Sequence, residues 1–181
     1  MTCRQLLDAA RARLSEAPRE ALGELVEPRR IFGVARAPRV ERRGEAWHLG
    51  VLLLTDDAVL ATGEVVRARA DAPRGYTAVA QRRRAELAAA ASRGGFREGE
   101  TVHIGWRVLD AEAVDRGAAG PRSPEGRQDA PAVRGEAGRT EPLALVDGVV
   151  SVRWSAAGGY VPLDGYLAER IALLLDPPAR A

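Results

Sequence analysis

The chain has two histidines, and they sit in matching settings. Trp47-His48-Leu49-Gly50 and His103-Ile104-Gly105-Trp106 each place an imidazole two residues before a glycine. Positions two apart on a strand share a face, so each glycine leaves a gap beside its imidazole. Were the two strands neighbours, the pair would line a shallow pocket. Such a pocket suits a general base, or a metal held with a carboxylate from Glu64 or Asp57. Spacing alone does not bring the pair together, and packing on a sheet is the ordinary fate of a strand histidine. His48 and His103 are therefore the candidates for any catalysis, and neither a metal nor a cofactor is expected.

Arginines supply the candidates for binding. Arg36 and Arg42 share a face of one expected strand and Arg67 and Arg69 a face of another, with Arg82-Arg83-Arg84 on the helix that follows. Together they suit phosphate, a carboxylate ligand or a nucleic-acid backbone. Few aromatics interleave with them, so nucleic acid is weakly supported. Glu41, Glu45, Glu64 and Asp71 are placed to pair with them across strands. The passage from Arg153 to Asp164 is rich in small residues whose amides suit an anion, with Trp154 and Tyr160 beside them. It lacks both the glycine spacing and the lysine of a phosphate loop. Cys3 lies on an apolar helix stripe and reads as packing. Thr2 would become a nucleophile only after loss of Met1, and the helix begins at once without a strand to hold it.

Composition narrows the chemistry further. All 27 basic residues are arginine, with no lysine and no asparagine. That removes Schiff-base chemistry, a lysine nucleophile and the phosphate-loop lysine. GC-rich codons account for the abundance of Ala, Gly, Pro and Arg, so the arginines are not by themselves a sign of recognition. Net charge is +2, but twelve arginines face six acids between Arg29 and Arg84, leaving the remainder net negative. One cysteine excludes an internal disulfide and a cysteine zinc cluster. The longest strongly apolar run, Val51–Leu54, is too short to span a bilayer, so a cytoplasmic chain with no membrane partner is expected.

The elements that must position these residues follow from periodicity. Cys3, Leu6, Leu7, Ala10 and Leu14 predict an amphipathic helix over 3–16, and Leu22 and Leu25 between Pro18 and Pro28 a second short one. Three strands of a meander are expected over 31–42, 46–54 and 59–69, with turns at Arg43-Gly44-Glu45 and Asp56-Asp57. Residues 76–93 read as a helix capped by Thr77 and stopped at Gly94-Gly95. Thr101–Val108 alternate as a half-buried strand with His103 on the wet side. From 117 to 140 only Val133 is large and apolar, so this stretch is expected to be a disordered insertion. A hairpin over 143–155 turns at Asp147-Gly148, and a last helix, capped by Asp164, buries Tyr166, Leu167, Ile171 and Leu174. The sum is one α+β domain over 1–181, a single antiparallel sheet of five or six strands with helices packed on it. A sandwich with a partly closed barrel is the second choice.

At Glu27-Pro28-Arg29-Arg30, at Glu45 to Asp56 and at Trp154 to Tyr160, the chain resembles a group of small proteins of high-GC bacteria without an established function. Some of them bear the automatic label glutaminase, and the likeness covers everything outside 117–140. The label implies an amide hydrolase. Three routes to that activity lack an essential part here: Ser-x-x-Lys has no lysine, Cys3 has no nucleophile elbow, and an N-terminal cysteine is replaced by Thr2. The expected function is thus a non-catalytic module that binds a protein partner or a small anionic ligand. A glutaminase-like hydrolase using His48 or His103 as base is the alternative.

Overall fold

The computed structural model describes residues 1–27, 37–70, 79–117, 141–155 and 157–177. Arg36, Thr77 and all but the first residue of the expected insertion lie outside them. The architecture is α+β. In chain order the elements are α1 (Cys3–Leu14), β1 (Glu20–Val26), β2 (Arg39–Leu49), β3 (Leu52–Leu54), β4 (Val59–Ala61), β5 (Glu64–Arg67) and α2 (Val79–Arg93). They continue as β6 (Thr101–Ile104), β7 (Arg107–Val108), α3 (Ala111–Asp115), β8 (Leu143–Val146), β9 (Val149–Arg153), β10 (Tyr160–Pro162) and α4 (Leu163–Leu175). In place of a single antiparallel sheet of five or six strands, the described strands form a seven-stranded mixed sheet and a three-stranded one. Two compact units result, and the chain passes between them within β2 and β7.

The first unit, Arg19–Trp47 with Thr62–Arg107, is four-stranded in the order β5-β6-β1-β2. It is mixed, because β1 and β6 run parallel while β1–β2 and β5–β6 run antiparallel. A parallel pair needs a long crossover, here more than seventy residues of intervening chain between Val26 and Thr101. The expected second helix is this strand β1. Leu22 and Leu25 have helical spacing, but Gly23 between them is a poor helix former, and a Cβ on it would run into Val40 and Val102. Tertiary pairing decides the matter. The expected turn at Arg43-Gly44-Glu45 is also absent: β2 runs through it, and the ladder skips Arg43 between the Leu22–Gly44 and Gly23–Arg42 pairs. That extra residue is a β-bulge, and Gly44, at φ 147°, supplies the backbone that it needs.

One face of these strands, with Ala21, Val66, Val102 and Ile104, packs on Leu87, Ala90 and Ala91 of α2. Alanines on the helix let it lie close to the sheet, which is the fine-grained core that a chain with few aromatics must build. β6 is an interior strand between β5 and β1, so Val102, His103 and Ile104 are all buried instead of alternating.

The second unit holds Met1–Pro18, His48–Ala61 and Val108–Ala181. Its α1 buries Cys3, Leu7, Ala10 and Leu14, as the spacing predicts. Thr2 closes a capping box with Gln5, and the Asp115 carboxylate accepts the N–H groups of Cys3 and Arg4. The Asp56-Asp57 reversal joins β3 to β4, and β8–β9 turns at Asp147 and Gly148, with φ 49° and 77°. Both of those turns match their sequence signals. The helix α4 packs on α1 and on β9 and β10 of the sheet β10-β9-β8, and it buries Leu163, Tyr166, Leu167 and Ile171. Asp164 does not cap α4: Pro162 is the N-cap, and the Asp164 carboxylate accepts the N–H of Gly165. The expected strand over 46–54 is interrupted at Gly50, at φ 69°, where the Tyr166 hydroxyl occupies the space of a Cβ. No helix among the described residues is long and apolar enough to cross a membrane.

Candidate binding groove

A cavity of about 630 Å³ opens within the second unit. Arg4, Leu7, Asp8 and Arg11 enter it from one face of α1, spaced three, one and three apart. The β3–β4 turn contributes Asp56, Asp57 and Ala58, and the chain entering α3 contributes Val108, Asp110 and Glu112. Its floor is apolar, made by the buried side chains of Leu7, Val59 and Leu109, while Val108 on the rim is 60% exposed.

Arg11 is the strut of this groove. Its Nε donates to the Thr55 carbonyl at 2.9 Å, one Nη to the Ala58 carbonyl at 3.1 Å and the other to Asp8 at 2.7 Å. The turn is tied from within as well: the Thr55 hydroxyl donates to Asp57 at 2.8 Å and accepts the Ala58 N–H at 2.9 Å. Asp110 caps α3 by accepting the Ala113 N–H at 2.8 Å, and Arg4 reaches Glu112 at 2.9 Å. Five carboxylates thus line the cavity against two guanidiniums. Arg11, at 18% side-chain exposure, is already spent on its carbonyls and Asp8. Asp8 pairs with Arg11, Glu112 with Arg4 and Arg116, and Asp110 with Arg116, so the five carboxylates outnumber the guanidiniums beside them by two, a modest negative excess.

Several of the arginines expected to bind anions have other occupations in the four-stranded unit. Arg42 pairs with Glu45 and Glu100 and lies over the Phe96 ring, and Arg69 is 3.8 Å from Glu98. Arg83 pairs with Glu64 at 2.8 Å, and Arg84 donates to the Val65 carbonyl. Arg67 is exposed. Trp154, half-exposed, and Tyr160 belong to the second unit, where Gly158 lies tight against the Trp154 indole.

The histidines lie on β6 and near the end of β2. His103, fully buried on β6, donates from Nε2 to the Glu20 carboxylate of β1 at 2.6 Å. His48, half-buried near the end of β2, has Nε2 3.0 Å from the Gly50 carbonyl. Glu20 was missed because its segment reads as helical. The groove acids were missed because residues 8, 56–57 and 110–112 are linked by no spacing signal, although Asp110 is a typical N-cap residue ahead of Ala111. No family model matches the chain, and neither the curated proteins nor the solved structures offer a match.

Proposed function

We propose that the chain is a non-catalytic binding module whose groove takes a basic segment of a protein partner. One observation carries this reading: an apolar-floored cavity in which five carboxylates outnumber the three guanidiniums paired with them. Its volume falls within the ordinary range of ligand sites, enough for a few side chains. An arginine or lysine would lay its methylenes on Leu7 and Leu109 and its charge against Asp56, Asp57 and Glu112. The small-anion reading draws less support, because the acids beside Arg42, Arg69 and Arg83 at least match them in number and leave no cationic excess.

The amide-hydrolase alternative asks His48 or His103 to act as base. A general base must come within hydrogen-bond reach of the proton it removes. His103 is 0% exposed and His48 Nε2 is directed to the Gly50 carbonyl, so neither arrangement favours that role. Ammonia release from glutamine by the purified chain, abolished by substitution of either histidine, would overturn the binding reading.

The binding experiment is a fluorescence-anisotropy titration with a labelled peptide of alternating arginine and alanine, and its glutamate counterpart as control. The arginine peptide is expected to bind, more weakly as salt rises, and about tenfold more weakly to an Asp56→Asn, Asp57→Asn, Glu112→Gln variant. No binding at low salt, or equal binding by the variant, contradicts the proposal.

A further inference from the structure

We propose that Glu20 and His103 are ligands of a divalent transition-metal ion on the four-stranded unit. The ladders place them on one face: Glu20 pairs with Ala46, and Leu22, two residues on, pairs with His103. This is the face opposite Ala21, Val66 and Val102, which α2 covers. A histidine on an interior strand between valine and isoleucine adds a polar ring to a core that needs none, and such a ring is costly to bury without a partner. Its partner is a carboxylate whose side chain is 34% exposed, so solvent reaches one side of the pair.

An imidazole nitrogen and a carboxylate oxygen are the donors that zinc and its neighbours in the first transition row accept. The donor atoms here are close enough to share one ion. They now stand 2.6 Å apart as a hydrogen bond. A tetrahedral ion would hold them roughly 3.3 Å apart. Packing locks His103, so the adjustment falls to Glu20, whose partly exposed side chain has room to turn. The ion takes the place of the proton on Nε2, and the neutral ring that ligates it carries its proton on Nδ1 instead. Further donors, water among them, complete the coordination.

The test uses the full chain with Zn(II) and Cu(II). After dialysis, elemental analysis is expected to find one zinc per chain, and zinc is expected to raise the thermal midpoint. Pulsed electron paramagnetic resonance of the copper form is expected to show imidazole nitrogen. Glu20→Gln, which keeps a hydrogen-bond acceptor for His103, should weaken zinc at least about tenfold. His103→Ala should abolish the imidazole signal; should that variant fail to fold, Glu20→Gln decides. Zinc retained equally by Glu20→Gln, no zinc retained by the unaltered chain, or an imidazole signal that persists in folded His103→Ala overturns the proposal.

Discussion

The Cys3 thiol is raised from 9.0 to about 12, first by burial and then by the charge of Asp115. A thiolate is the reactive form, so at pH 8 only about one thiol in ten thousand is poised to react. Ellman's reagent is expected to leave Cys3 untouched in the native chain over an hour and to titrate it at once in denaturant. A raised pKa contributes stability below the unfolded value and loses it above, so stability should decline as pH climbs from 9.0 toward 12. Glu100 goes the other way: burial opposes its charge, but the Arg42 hydrogen bond, the Arg97 N–H and both guanidinium charges outweigh that and hold its carboxyl below the usual range. Its contribution is present above the unfolded carboxylate pKa of about 4.3 and lost as pH falls through the lower folded value. Arg42→Ala should therefore cost about 1 kcal/mol near pH 7, and urea midpoints should show the difference shrinking in acid to what the contact with the Phe96 ring contributes. Cys3 was legible as packing from its stripe. Glu20 was not, because a residue's partner across a ladder depends on which element it belongs to.

That dependence is clearest at β1. Local spacing favoured a helix, while pairing on both edges and the contact space at Gly23 favour a strand, and propensity yields to tertiary pairing. A bulge stands at Arg43 where a turn is expected for a related reason: Arg-Gly-Glu signals irregular backbone without saying whether the strand reverses or continues. Hairpins with short, specific turns were legible, as at Asp147-Gly148, since positive φ at both residues is written into the residue types. The β2–β3 turn shows how an element end is held. The Tyr166 hydroxyl donates to the Leu49 carbonyl at 2.8 Å and accepts the Val51 N–H at 2.9 Å. Tyr166→Phe leaves both backbone groups without that partner and should cost about 1–3 kcal/mol in urea unfolding. Gly50→Ala should cost more than Tyr166→Phe, because a Cβ there meets the hydroxyl while φ is 69°. Equal stability of Gly50→Ala and the unaltered chain would contradict this account of the turn.

Across the molecule, charge is divided by sign. The unit that holds the groove carries fifteen acids and eleven arginines, and the four-stranded unit sixteen arginines and ten acids. The sequence shows a basic stretch between Arg29 and Arg84, but the fold pairs its Arg42, Arg69 and Arg83 with carboxylates. The groove stayed hidden because its acids come from three distant segments, and only the packing of α1 and α3 in one unit brings them around a common cavity. The α+β class was legible, since it needs only periodicity. The mixed pairing was not, since parallel partners lie far apart in sequence. The most direct test of the binding account is an amide chemical-shift titration of the isotopically labelled chain with the arginine–alanine peptide. Shifts confined to residues 4–11, 55–59 and 108–112 are predicted, reversed by salt. Shifts centred instead on Arg42, Arg67 and Arg69, or none at saturating peptide, would contradict it.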